Sequence, residues 1–284
     1  MSKGLLDPKV DFVFKNIFGS PNHPEILISF LNATLKAKKK IVNVDIKKTD
    51  IEKQYIEDKY SRLDVKATTS NDEIINIEIQ LKNENNMVKR SLYYLSKMYE
   101  EQLNEKEDYS KLVRTVCINI LNFKYLKTDN FHTGYRFKEI ESNEELTDIM
   151  EVHFIEIPKL QDSSDEKDML VAWTEFLKDP ESEKVRGLEL SIEEIRQAKD
   201  ELIRMSNDST QRELYDMRAN SLRDKMSELN AAERKGIEKG REEGREEGRK
   251  EEKIEIARNM KLSGLDTNTI AKITNLSEDE IDKL

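Results

Sequence analysis

Asp64, Glu78 and Gln80 are the residues whose types and spacing point most directly to chemistry. They lie in the stretch 61–81, S-R-L-D-V-K-A-T-T-S-N-D-E-I-I-N-I-E-I-Q-L, which reads as a β-hairpin. Its arms are residues 62–67 and 74–81, and the turn-forming run T-T-S-N-D-E joins them. Both arms alternate with period two. Leu63, Val65, Ala67, Ile75, Ile77, Ile79 and Leu81 share one face, and Arg62, Asp64, Lys66, Asn76, Glu78 and Gln80 share the other. A turn centred near Asn71 sets Val65 opposite Ile77, Asp64 opposite Glu78 and Arg62 opposite Gln80. A slip of one residue would turn every isoleucine to the wrong face, so the apolar pattern pins this register.

Two carboxylates opposed across a ladder repel. A shared proton relieves the repulsion and raises one pKa. A divalent cation also relieves it. Mg²⁺ takes oxygen ligands from one or two carboxylates and keeps positions for water and a phosphate. Asp64 and Glu78 are therefore candidate metal ligands, and the backbone carbonyl of Ile79 is a third. The competing reading is a solvated polar face, with Arg62 and Lys66 neutralising the acids.

Other elements must hold such a hairpin. Asp7-Pro8 reads as a helix N-cap followed by proline at the first helical position, and Val10, Val13, Phe14, Ile17 and Phe18 follow helical spacing up to Gly19. Asp11 lies off that apolar stripe and pairs with Lys15 at i,i+4 spacing. A second helix is expected over 24–35 and a first strand over 41–46. After the hairpin, residues 85–103 read as a helix with Val88, Leu92, Leu95, Tyr99 and Leu103 as its buried stripe, and Tyr93 is expected in the core. Arg90, Tyr94 and Lys97 occupy another face. Residues 113–123 form a buried strand, and 132–139 with 151–158 a further pair, on which His132 and His153 read as exposed strand residues.

The pieces Asp64 and Glu78-Ile79-Gln80 resemble the core motif of the PD-(D/E)XK nucleases, with Gln in place of Lys. The Glu-x-Gln form is similar to that of the Rpn family of recombination-promoting nucleases, also described as transposases. The blocks at 6–19, 62–67, 74–80 and 90–97 resemble that family's signature in order, over about the first 160 residues. The resemblance implies an α/β fold with an αβββαβ core and a mixed sheet, metal-dependent cleavage of DNA, and Mg²⁺ or another divalent cation such as Mn²⁺ or Ca²⁺ at the site. It implies catalytic roles for Asp64, Glu78, Gln80 and Arg90, and an accessory role for Asp11 on the first helix. Arg62 or Arg90 would supply the charge missing at Gln80, with Lys66 as a further accessory group.

The chain has 284 residues, 37% of them charged, with a net charge of −10, which counts against a general nucleic-acid coat but not against local basic patches. Lys36, Lys38, Lys39, Lys40, Lys47 and Lys48 are such a patch or simply a solvated loop. A single cysteine, Cys117, excludes an internal disulfide framework and a cysteine zinc site. No run is apolar enough to span a bilayer and the start carries no signal pattern, so a cytoplasmic location is expected.

The expected organisation is a nuclease-like domain at 1–160, a helical extension at 161–230, a charged segment at 231–253 and a small helical tail at 254–284. Gly236, Gly240, Gly244 and Gly248 recur every four residues; the segment is either a flexible spacer or a helix with a groove for self-association. The tail is helix-turn-helix-like, with Ser277 and Glu280 as a capping box, but its last helix is acidic, which favours packing or homo-oligomer formation over groove reading. The family also implies a short C-terminal regulatory product from an internal start. A catalytically retired, transposase-derived DNA-binding or regulatory protein is the alternative function, and an RNA-directed nuclease a weaker one.

Overall fold

The computed structural model describes residues 4–36, 39–47, 65–165 and 167–284. Arg62 and Asp64 lie outside the described residues, as do Lys38 and Lys48. In the first compact unit, which runs to Asn220, two helices (α1 Asp11–Phe18, α2 Pro24–Leu35) precede strands β1 Val44–Lys47, β2 Val65–Thr69 and β3 Ile74–Gln80. Helix α3 (Met87–Glu100) follows, then β4 Thr115–Leu121, β5 His132–Lys138 and β6 Glu145–Glu156. Helices α4 Met169–Lys178, α5 Glu183–Glu189 and α6 Glu193–Asn207 follow. The six strands form one mixed sheet in the order β1-β2-β3-β4-β6-β5. The β1–β2, β2–β3 and β5–β6 pairs are antiparallel, and β3–β4 and β4–β6 are parallel. The α/β class and the αβββαβ order expected from the sequence are both present.

The β2–β3 register matches the one read from the apolar pattern: Val65 pairs with Ile77, Lys66 with Asn76 and Ala67 with Ile75. Val65, Ala67, Ile75, Ile77 and Ile79 are buried. Gly19 closes α1 against this face. A Cβ there would meet the Lys15 carbonyl oxygen at 2.6 Å and Val65 Cγ2 at 3.3 Å, so no larger residue fits without displacement. Phe18 packs against Phe14, Phe30 of α2 and Trp173 of α4, and all four rings are almost wholly out of water. Each contributes roughly 1.5–3 kcal/mol through burial.

Several local expectations change. The Asp7-Pro8 turn precedes α1 rather than capping it: Asp7 Oδ1 accepts from Lys9 N–H and the helix starts at Asp11. Asp11 pairs with Arg218, at 2.9 Å. Helix α3 is rotated relative to the expected stripe. Met87, Ser91, Tyr94, Leu95 and Met98 face inward, whereas Val88, Leu92 and Tyr93 are 41%, 49% and 50% exposed. The polar face of the hairpin is not solvated either, because α3 lies over it. Asn76 and Glu78 are buried alongside Asn119 of β4.

His132 and His153 are not exposed strand residues. His132 is partly buried and His153 is buried. Pairing of β5 with β6 brings their rings edge to edge, nearly coplanar at 11°, with His132 Nε2 2.9 Å from His153 Nδ1. Gly134 lies opposite His153, where a Cβ would come within 3.0 Å of the imidazole.

The second unit begins at Ser221. Helix α7 runs unbroken over Ser209–Leu262 and carries all four spaced glycines in helical conformation. Gly264, at φ +85°, follows its end. Helices α8 (Thr267–Thr274) and α9 (Glu278–Asp282) then close a small core of Ala257, Ile270, Leu276 and Ile281. Asn275 ends α8 in the left-handed region, and Ser277 with Glu280 forms the expected capping box of α9.

Candidate active site

Glu78 is the centre of the described site. Strand β3 turns it toward α3, because its neighbours Ile77 and Ile79 take the apolar face. The carboxylate is 2% exposed. Arg90, from the first turns of α3, reaches it with Nε 3.2 Å from Glu78 Oε2. Arg90 also lies over the Tyr94 ring, 5.4 Å from its centroid, and the two contacts restrict its orientation. Burial pushes the Glu78 carboxyl up to about 7; Arg90 and the Asn76 side chain pull in the other direction without cancelling it.

Among the described residues, neither Glu78 oxygen has a hydrogen bond of good geometry, and Asn76 Oδ1 lacks one as well. Buried acceptors without donors are costly. Three such oxygens on one strand face are also the hard donor type that Mg²⁺ takes. The residues present therefore fit a divalent cation. Among the described residues, no group of three or more His, Cys, Asp or Glu side chains is arranged to hold a metal. Asp64, the expected second carboxylate, lies outside them and immediately precedes Val65 in the chain.

The other expected site residues fall as follows. Gln80 ends β3, is partly exposed, and pairs in register with Leu121. Ile79 turns its side chain into the opposite, apolar face. Lys66 lies opposite Asn76, on the Glu78 side of the sheet, with Nζ 3.8 Å from Glu101 Oε2 just past α3. Asp11 is bonded to Arg218, and no described contact brings it to Glu78. Lys36 pairs with Asp168 and Lys47 with Asp45, while Lys39 and Lys40 are exposed.

Sequence reasoning missed the polar residues around Glu78. Asn119 sits beside it in the β3–β4 register and is fully buried. Its Oδ1 accepts from Ser91 Oγ at 2.8 Å, and its Nδ2 donates to the His153 backbone carbonyl at 3.1 Å. Cys117, opposite Asn76, is also buried; burial and the nearby Glu78 charge push its thiol up to about 12. It is a packing residue, not a nucleophile. The available signal was Asn119 itself, a polar residue within an otherwise apolar strand.

A second polar chain crosses the opposite face of the sheet. Thr69 Oγ1 donates to Glu73, Arg114 bridges Glu73 and Glu151, and Glu151 accepts from Arg136 at 3.1 Å and from His153 Nε2 at 2.8 Å. Burial works to raise the Glu151 carboxyl, but His153 and Arg114 together hold it down to about 2. Burial, and then the neighbouring His153, lower His132 to about 4.

Comparison with known proteins fits this geometry. Residues 8–232 match the profile of the PD-(D/E)XK nuclease family transposase, a span that takes in α4–α6 as well as the sheet. Residues 250–284 match that of the Rpn/YhgA-like nuclease family, C-terminal HTH domain. No curated protein and no solved structure matches the chain.

Proposed function

This chain belongs to the PD-(D/E)XK nuclease family transposases, and from that premise we propose that it is a metal-dependent endonuclease that hydrolyses phosphodiester bonds in DNA, in recombination, mobile-element movement or defence against foreign DNA. The observation that carries the reading is Glu78: a buried carboxylate at the motif position, short of hydrogen-bond donors and faced by one arginine. Glu78, Asp64 and the Ile79 carbonyl would hold the ion, with Mg²⁺ favoured over Mn²⁺ or Ca²⁺. When bound, such an ion supplies a Lewis acid and a water acidified toward neutral pH.

The chain's own residues supply the rest. Gln80, at the open end of β3, orients a water through its amide but brings no charge. Arg90 is the fixed cation that takes over this part of the missing lysine's role, stabilising charge that develops on the phosphate. Lys66 and, from outside the described residues, Arg62 are accessory cations, and Asp11 is an accessory acidic group. We read the tail as a packing module through which copies of the chain associate, since α9 is acidic and would be repelled by phosphates. A short C-terminal product would then act by joining that association. Among the described residues, no helix is long and apolar enough to cross a membrane, and we place the protein in the cytoplasm with its DNA substrate.

Supercoiled-plasmid cleavage by the full chain, with and without Mg²⁺ and beside Glu78→Ala and Asp64→Ala, tests the reading. Metal-dependent nicking that vanishes in both variants is expected. The retired DNA-binding alternative is favoured by two observations: Gln80 stands where the motif has lysine, and Arg90 already pairs with Glu78. DNA binding with no cleavage under any divalent ion would select it, and cleavage of RNA alone would reassign the substrate.

A further inference from the structure

Helix α3 carries Arg90 to Glu78, but its sequence offers a more apolar face for burial than the one it uses. Val88 and Leu92 are left 41% and 49% exposed, while Ser91 is 1% exposed. Those two residues alone would rotate the helix the other way. Burial of Met87, Tyr94, Leu95 and Met98 opposes that rotation, and beside them stands a hydrogen-bonded crossbar. The His153 backbone carbonyl in β6 accepts from Asn119 Nδ2, and Asn119 Oδ1 accepts from Ser91 Oγ. Ser91 Oγ also lies 2.7 Å from the Met87 carbonyl oxygen, within its own helix. The single Ser91 hydroxyl proton is shared between the two acceptors, so the crossbar ties α3 to Asn119 in competition with the helix's own carbonyl. Ser91 is adjacent in sequence to Arg90, and Asn119 is adjacent in the sheet to Glu78. The crossbar therefore joins the two elements that carry the ion pair, next to the pair itself.

We propose that Ser91 and Asn119 are positioning residues: their hydrogen bond ties α3 to β4 and holds Arg90 on Glu78. The inference rests on the proposed nuclease for its activity arm only. A crossbar kept purely for stability should be replaceable by apolar side chains at little cost, since removing both partners of a buried hydrogen bond is nearly neutral. A positioning crossbar should not be replaceable, because small misplacements of a catalytic cation cost up to about a hundredfold.

The test uses the full-length chain. Ser91→Ala, and the Ser91→Ala/Asn119→Leu pair, should lose about tenfold or more in kcat for plasmid nicking with KM for DNA unchanged; the single variant, which leaves Asn119 Oδ1 unpaired, should also lower the unfolding temperature, and the pair should recover part of that loss. Ser91→Thr, which retains the hydroxyl, should restore most of the rate and also serves if the alanine variant folds poorly. In an Arg90→Ala background, Ser91→Ala should cost less than about twofold, because the residue it positions is gone. An independent readout is the Arg90 Nε–H signal in NMR, assigned with Arg90→Lys. It should be slowly exchanging in wild type and Ser91→Thr, and lost in Ser91→Ala. An equal loss of rate with or without Arg90 would overturn the proposal, as would an unchanged Arg90 signal in Ser91→Ala. If wild type cleaves nothing under any metal, the nuclease reading fails, and the Arg90 signal alone decides this one.

Discussion

Arg90 Nε stands 3.2 Å from Glu78 Oε2, yet the Glu78 carboxyl is still raised to about 7. Burial costs the carboxylate more than one arginine returns. Glu78 should therefore affect stability in a pH-dependent way. Its folded pKa lies above its unfolded value of 4.5, so its contribution is fully present below pH 4.5 and lost as pH rises through 7. In EDTA, Glu78→Gln should match wild type at pH 4 and exceed it at pH 8 by up to about 3 kcal/mol, measured by urea unfolding. Adding Mg²⁺ at pH 8 should narrow that gap by stabilising wild type alone. A gap of constant size from pH 4 to pH 8 would count against the buried, strained carboxylate.

Removing the arginine reverses the balance. Arg90→Ala leaves Glu78 buried without its cation, which raises its carboxyl further, so that it stays protonated at pH 8 at an added cost of up to about 1.4 kcal/mol. The loss should shrink at pH 5, where the carboxyl is protonated in the folded protein. Plasmid nicking should fall about a hundredfold in Arg90→Ala. Arg90→Lys should recover part of the stability but little of the rate, since an ammonium lacks the planar guanidinium that lies over Tyr94. Full activity in the lysine variant would show that charge alone is needed.

The hairpin register was readable because period-two alternation of Val65, Ala67, Ile75, Ile77 and Ile79 admits one alignment. The tail was readable because Gly264, Asn275 and the Ser277–Glu280 box are local stop and start signals that need no tertiary partner. The rotation of α3 was not, because the groups its buried face meets, Asn119 against Ser91 and the β4–β6 core against Met87 and Leu95, are distant in sequence. The sequence offers Asp11 either as a partner for Lys15 or as an accessory metal ligand, and only the fold brings Arg218, 207 residues away, to it. The His132–His153 contact was hidden for the same reason: only the β5–β6 ladder brings the rings together. Local periodicity reports which face can be buried; it does not report which long-range contacts decide among the options.

That histidine contact makes its own prediction. Between the two facing nitrogens there is room for one proton, which the contact shares. His132 is lowered to about 4 in the fold, so its contribution is present above pH 6.5 and lost as pH falls through 4. Wild type should lose on the order of 2–3 kcal/mol over that range beyond what His132→Phe loses. Imidazole NMR should show His132 neutral at pH 5.5. A His132 titration midpoint near 6.5 would remove the basis for this effect.

The glycine run in α7 offers a test of how the tail is used. A Cβ added at Gly236, Gly240, Gly244 or Gly248 would meet nothing within 4 Å in the single chain. Alanine at each should therefore stabilise the helix by roughly 1 kcal/mol, seen as greater helicity in circular dichroism on heating. If copies of the chain pack through this face, the same substitutions would hold two backbones apart, because close approach depends on the absent side chain. Gly240→Ala/Gly244→Ala should then raise helicity while weakening self-association in sedimentation velocity. Higher helicity with unchanged association would place the contact elsewhere. The pattern separates an intrinsic cost of glycine from a use for it: only an interface can make a residue that destabilises its own helix stabilise an assembly.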